Sequence, residues 1–219
     1  DLEQLVDQLN RLPSLQAELQ VLPGEVLGAS RVQLAGQREK PWRLNANRNN
    51  DGLPSTGEQQ WGLGFDWDSP LGLADQLVLR GSGDTLSDSQ RQSDSQSLIY
   101  SLPYGWWTVS YSYNQNSYRS QTDAAGFDFK QHGDSQTQQL RAERVLQRDE
   151  VSKTAASIAA GHIRTRNYLE DALLDVSSSD LSSAQLGFNH GRRIGSAFVN
   201  LDLGWQRGNG WFGAQSNGD

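Results

Sequence analysis

The chain has no cysteine, no methionine and only six prolines among its 219 residues. Without cysteine there are no disulfides, no thiol nucleophile and no sulfur ligand for zinc, and the compartment is left open. No stretch comes near the roughly 18 to 20 consecutive apolar residues that a membrane helix requires. A barrel strand needs only about 9–11 residues with alternate ones apolar, so a membrane location remains compatible with that absence. Basic residues are fewer than acidic ones, 19 against 26, for a net charge of −7, and no Lys/Arg run points to a nucleic-acid partner. Apolar residues make up 35% and mean hydropathy is −0.68, low for a packed soluble core of this size. The chain starts at Asp1 without a signal peptide, which reads as a mature or internal piece of a longer precursor.

What is abundant is aromatic residues and glycine: seven Trp, six Tyr, six Phe and 22 Gly. That mixture suits strands whose apolar residues occupy every second position while polar ones face a wet lumen, and it argues against disorder. Residues 1–36 differ from the rest. Leu2, Leu5, Leu9 and Leu12 recur at helical spacing until Pro13 and Ser14 end the pattern. Leu15, Ala17, Leu19 and Val21 then alternate with polar residues, Pro23-Gly24 turns the chain, and Val32 and Leu34 alternate again. This is a small α+β unit, helix–strand–turn–strand.

From Pro41 onward the period is two. Trp42, Leu44 and Ala46 alternate with Arg43, Asn45 and Asn47, and Trp61, Leu63, Phe65 and Trp67 with Gly62, Gly64, Asp66 and Asp68. Further strands are predicted at about 75–84, 98–102, 107–113, 135–147, 153–168, 172–190 and 196–206, with a polar loop at about 85–95 and a longer one from Asn116 to Asp134. Compact turns near 69–74, 103–105, 148–152 and 191–195 alternate with longer polar links, the asymmetry of an outer-membrane barrel. Trp42, Trp61, Trp67, Trp106 and Trp205 fall near strand ends, where an aromatic girdle sits. The fold class is therefore mainly β: a partial antiparallel transmembrane β-barrel of about nine strands. Single-chain bacterial barrels have even strand counts, and open edges are untenable in lipid, so the odd count predicts part of a larger barrel.

No catalytic constellation stands out. His132, His162 and His190 lie on separate strands or loops and read as surface or lumen histidines, with no metal site. Ser182 and Ser183 have no evident base in reach, and Gly62-Leu63-Gly64 and Gly208-Asn209-Gly210 precede no helix that would cradle a phosphate. No cofactor is implied. The lumen face carries Arg43, Asp66, Asp68, Arg80, Arg141 and Glu143, mixed charges that can hold a plug and lid while keeping a pore hydrated. The helix beside a strand edge offers a groove for an extended client, with Arg11 and Gln16 as candidate contacts.

Several stretches carry a resemblance. They are Leu9-Asn10-Arg11-Leu12-Pro13, Pro41-Trp42, Asp68-Ser69-Pro70-Leu71-Gly72-Leu73 with Asp75-Gln76-Leu77, Ser101-Leu102-Pro103-Tyr104-Gly105-Trp106-Trp107, Gly133-Asp134-Ser135 and Asn167-Tyr168-Leu169. In this order the chain resembles the two-partner secretion transporters, the TpsB (ShlB/FhaC/CdiB-like) branch of the Omp85 superfamily. The resemblance implies a plug helix, two POTRA domains and a barrel of roughly 16 strands in the Gram-negative outer membrane. It places residues 1–36 in the periplasm as the C-terminal part of POTRA 2, 37–41 as a linker, and 42–219 as the N-terminal half of the barrel. It implies a monomeric pore in outer-membrane lipid whose partner is a secreted TpsA-type exoprotein, a large β-helical haemolysin, adhesin or contact-dependent toxin. An Omp85-type barrel insertase, a passive porin and a soluble β-rich binding protein are the rival readings. The family's lid-loop motif matches nothing in this chain.

Overall fold

A computed structural model of the chain describes residues 2–25, 30–53, 55–84, 91–124 and 127–215. The N-terminal stripe forms helix α1 (Leu2–Asn10). Leu12 N donates to Leu9 O at 3.0 Å and Leu15 N to Leu12 O at 3.0 Å, a tightened exit that turns the chain at Pro13. Leu12 is fully buried, whereas the side chains of Leu2 and Leu5 lie outside the described residues. Asn10 fastens the helix end to the next strand: its Oδ1 accepts from Ala17 N at 2.7 Å and its Nδ2 donates to Ala17 O at 2.9 Å. Strands β1 (Leu15–Pro23) and β2 (Ser30–Arg38) pair antiparallel from Leu15↔Arg38 to Pro23↔Ser30.

The remaining strands are β3 (Trp42–Asn49), β4 (Gln60–Asp68), β5 (Gln76–Asp84), β6 (Gln92–Tyr104), β7 (Trp107–Ala124), β8 (Phe127–Arg148), β9 (Ser152–Leu169), the short β10 (Ala172–Leu173), β11 (Ser179–Ile194) and β12 (Ala197–Asn209). They form one antiparallel meander in the order β12-β11-β9-β8-β7-β6-β5-β4-β3, with β10 pairing β9. Among the described residues nine strands thus lie on the main path, as the alternation predicts, and the end strands β3 and β12 do not pair with each other. The connections at 69–75, 105–106, 149–151 and 195–196 fall at the end where α1 sits, here the near end, while β7 and β8 pair out to Ala124↔Phe127 at the other end.

Register sorts the side chains into two faces. On the outward face one row of register partners runs Trp42, Trp67, Leu77, Tyr100, Tyr111, Leu140, Ala160, Ala184, Arg207. It starts at the near edge of the apolar belt and leaves past the far edge, beyond Trp205. Eight interstrand steps of about 4.8 Å span about 38 Å, so crossing a belt about 25 Å tall requires strands tilted by about 40°, within the range for membrane barrels. On the inward face the same strands carry Arg43, Asn45, Gly64, Asp66, Arg80, Ser97, Ser110, Asn114, Gln139 and Arg141. Exceptions occur on both faces. Val78 pairs with Ile99 inward, and Arg144 stands outward with its guanidinium 5.5 Å from the Trp107 ring.

Three boundaries differ from the sequence expectation, the smallest being that β6 begins at Gln92, inside the polar loop expected at about 85–95. The loop expected from Asn116 to Asp134 is strand almost throughout: β7 and β8 pair continuously from Trp107↔Arg144 to Ala124↔Phe127. The 22 residues of β8 span about 70 Å of chain, far more than the belt needs, so its upper half stands in water on both faces, and its short Phe127/Phe129 alternation is too brief to mark a strand that long. The strand expected to start at 172 begins at Ser179, after β10 and a 3-10 turn at Asp175–Ser177, and runs on to Ile194.

Candidate functional site at the barrel mouth

The near end is organised by the carboxylate that closes β4. Asp68 points inward and is fully buried. Its Oδ2 accepts from Arg43 Nη1 at 2.8 Å and Ser14 N at 3.0 Å, and its Oδ1 from Arg43 Nη2 at 3.0 Å and Gln76 Nε2 at 3.2 Å. Its own N–H donates to Pro41 O at 2.7 Å, and Glu39 N donates to Ser14 O at 2.8 Å. A bidentate Arg–carboxylate pair with further donors is the geometry in which a buried charge is stably held. Because Ser14 belongs to the α1–β1 turn, this hub ties the α+β unit to the barrel wall.

Helix α1 adds a second attachment. Gln4 Nε2 donates to Gly105 O at 3.4 Å and Gln8 Nε2 donates to the same carbonyl. Gly105, with φ of 57°, sits in the β6–β7 turn in the left-handed region that suits glycine. Arg11 donates from Nη1 to Thr108 Oγ1 at 3.0 Å and from Nη2 to Ser101 Oγ at 3.2 Å, both on the inner wall. Between helix and wall lies a cleft of about 520 Å³ whose lining includes Gln8, Arg11, Ser110, Arg141, Glu143 and Lys153.

The predicted lumen residues come together as three ion pairs. Arg43 meets Asp68 at 2.8 Å, Arg80 meets Asp66 at 2.7 Å, and Arg141 meets Glu143 at 3.0 Å. Asp68 has no surface left, while Arg80, Arg141 and Glu143 remain well exposed to the lumen. Of the two groove candidates, Arg11 is engaged with the wall, and Gln16 is exposed on β1 opposite Gln37.

On the outward side of the same β4–β5 turn stands a second buried carboxylate that sequence reading missed. Asp75 is fully buried. It accepts from Leu71 N at 3.2 Å, Leu73 N at 3.2 Å and Tyr100 Oη at 2.8 Å. An aspartate at a turn is too common a signal to single it out.

One expectation is corrected. Ser182 does have a histidine in reach: His162 Nδ1 lies 2.9 Å from Ser182 Oγ, and His162 Nε2 lies 3.5 Å from Asp180 Oδ1. The hydroxyl donates to Trp211 O at 2.9 Å, so the imidazole donates to the serine oxygen instead of withdrawing its proton. The group pins the segment at Trp211 to the outward face of β9 and β11. His132 stacks on Tyr168 at 4.8 Å and His190 bonds Thr154 Oγ1 at 2.8 Å.

A tilted antiparallel wall, apolar outside and charged inside, with an α+β unit hydrogen-bonded across its mouth, defines part of a membrane β-barrel. Residues 28–219 match the family of the haemolysin secretion/activation proteins ShlB/FhaC/HecB, and the chain belongs to that family. It is 34% identical to the outer membrane transporter CdiB of Dickeya dadantii strain 3937, over 100% of this chain and 39% of that protein. It is 32% identical to the hemolysin transporter protein HpmB of Proteus mirabilis, over 98% of this chain and 38% of that protein. The solved structure of CdiB from Escherichia coli superposes with a TM-score of 0.92 at 32% identity, covering 100% of this chain and 41% of that one. CdiB from Acinetobacter baumannii gives 0.76 at 25% identity, over 95% of this chain and 40% of that one. The chain thus spans about two fifths of the length of the relatives it matches.

Proposed function

We propose that the chain is part of a Gram-negative outer-membrane pore that exports a large β-helical exoprotein by two-partner secretion. In this reading residues 1–36 are the C-terminal part of a periplasmic POTRA domain, 37–41 the linker and 42–219 the N-terminal half of the barrel, and the near end faces the periplasm. The carrying observation is the attachment of the α+β unit to the inner wall through Ser14–Asp68 and Arg11–Thr108. A passive porin has no use for a folded unit aimed into its lumen. Gln16 is then a client contact on the exposed strand, and Arg11 joins it only by leaving the wall. Arg43, Asp66, Asp68, Arg80, Arg141 and Glu143 line the route, the more exposed of them available to a plug. Membership of a family of transporters, together with the hydrogen bonding of the one Ser–His pair described, favours a transporter over an enzyme.

The periplasm supplies no ATP, so an unfolded client that folds outside provides the outward bias. The test is export by a strain whose full-length transporter gene is deleted and then restored. Loss of the cognate exoprotein from the medium, with recovery on complementation, is the expected result. Unchanged export in the deletion strain overturns the reading.

A further inference from the structure

The β4–β5 turn is closed on itself. Every backbone N–H from Ser69 to Ala74 finds a partner within the turn and the residue that closes it. Ser69 N donates to Asp75 O at 2.6 Å and Gly72 N to Ser69 O at 3.1 Å. Leu71 N and Leu73 N donate to the Asp75 carboxylate, each at 3.2 Å, and Ala74 N donates to Ser69 Oγ at 3.1 Å. Pro70 has no N–H. The conformation costs strain, with φ of 56° at both Ser69 and Ala74, of about 1–3 kcal/mol each.

A turn in water does not need such closure, because solvent satisfies its donors; in hydrocarbon each orphaned donor costs several kcal/mol. The two charges that flank the turn, Asp68 and Asp75, are both fully buried, and its surface is apolar: Leu71 is 67% exposed and Leu73 56%. The β8–β9 turn at the same end is the contrast, with Arg148, Asp149, Glu150 and Lys153 in and around it.

Its position points the same way. Gln76 bonds the inward Asp68, so Asp75, one residue earlier, lies on the outward side, where it takes the hydroxyl of Tyr100, a residue of the outward row. The turn therefore folds over the lipid-facing side and continues the belt of Trp42, Trp67 and Leu77. Lys40 Nζ, 3.5 Å from the Trp42 ring centre, places a cation where phosphate headgroups end that belt.

We propose that the β4–β5 turn is a lipid-embedded anchor, with Leu71 and Leu73 in the acyl layer of the phospholipid leaflet at the near end and the Asp75–Tyr100 cluster keeping its backbone dry. This rests on the membrane reading above. The test is site-directed spin labelling of the full-length transporter in phosphatidylethanolamine/phosphatidylglycerol liposomes, with any cysteine elsewhere replaced by serine. Leu71→Cys and Leu73→Cys carry the probe, Leu140→Cys is the belt reference, and Val176→Cys is the water reference. Val176 is 100% exposed beyond the far end of β9, and Leu140 is 54% exposed on the outward row. The expected result is an oxygen-to-nickel-chelate accessibility ratio at 71 and 73 matching Leu140 and several-fold above Val176. Ratios at 71 and 73 matching Val176, with Leu140 in lipid, overturn the anchor alone, as does shielding from both reagents, which indicates a protein partner. A water-like ratio at Leu140 overturns the membrane reading as well. Hydroxyl-radical footprinting of the unsubstituted protein covers a variant that fails to assemble: Leu71 is expected to be labelled far less than Leu53, 65% exposed in the β3–β4 link at the far end, and equal labelling overturns the proposal.

Discussion

Asp68 and Asp75 close the two ends of one turn, both fully buried, and face opposite sides of the sheet. The inward one holds the α+β unit through Ser14 and the outward one holds the turn through Leu71, Leu73 and Tyr100. Placement of the N-terminal unit and shape of the barrel rim are thereby tied to the same few residues.

Asp68→Asn tests the inward hub. The substitution turns an amide N–H₂ or a neutral oxygen toward Arg43 and removes the charge from a buried pair. Breaking such a pair costs about 3–5 kcal/mol; the partial exposure of Arg43 places this one near about 3 kcal/mol. In the full-length protein the variant is expected to lose heat-modifiable migration at a lower temperature and to be cleaved faster by protease within residues 37–41. Arg43→Lys, which keeps charge but not the bidentate fork, should fall between the two.

Tyr100→Phe tests the outward hub. It removes one hydrogen bond to a carboxylate, of the class that contributes about 1.5–3 kcal/mol, and leaves the two backbone donors in place. Amide exchange at Leu71 and Leu73 should quicken, while exchange in β1 and β2, on the other side of the sheet, should not change.

The outward alternation at Trp61, Leu63, Phe65 and Trp67 was legible in the sequence because lipid demands apolar groups at every second position. The upper halves of β7 and β8 were not, because Gln115, Ser117, Gln136 and Asp134 stand above the belt, where neither face has to be apolar. The inward parity of Arg43, Asp66, Asp68 and Arg80 could likewise be read from spacing, but their partners could not. Arg43 lies directly opposite Asp66 in register, yet its ion pair runs diagonally to Asp68, and Asp66 pairs diagonally with Arg80. That choice is set by Ser14 N and Gln76 Nε2, which complete the shell around Asp68, and Ser14 lies far from it in sequence.

The β8–β9 turn carries a pH dependence. Hydrogen bonds from the Ser152 hydroxyl and from the Val151 and Ser152 amides, with the charge of Arg192 nearby, hold the Asp149 carboxyl below its ordinary value. The folded state therefore binds this proton less readily than the unfolded chain, and the stabilisation is complete above the ordinary carboxylate pKa of about 3.9. It is lost as pH falls below that value and through the folded one. Asp149→Asn should raise amide exchange at Val151 and Ser152 relative to wild type at neutral pH, and the gap should narrow as pH is lowered past about 4. A gap that is constant with pH would show that the carboxylate charge contributes nothing to the turn.

Arg141 and Glu143 separate wall electrostatics from folding. Both side chains are well exposed to the lumen, so their ion pair contributes at most about 1 kcal/mol, and replacing it leaves the barrel's stability almost unchanged. Arg141→Glu puts two carboxylates side by side on the inner face of β8 and leaves a net negative patch beside the cleft under α1. In planar bilayers the full-length variant is expected to conduct more at rest and to favour cations, because the patch no longer offers a cation to a plug and attracts mobile ones instead. The exchanged pair, Arg141→Glu with Glu143→Arg, restores neutrality on the same two positions and should return selectivity toward wild type. If the single and double variants conduct alike, the effect comes from altered packing at residue 141 and the charge pattern of the wall has no part in it.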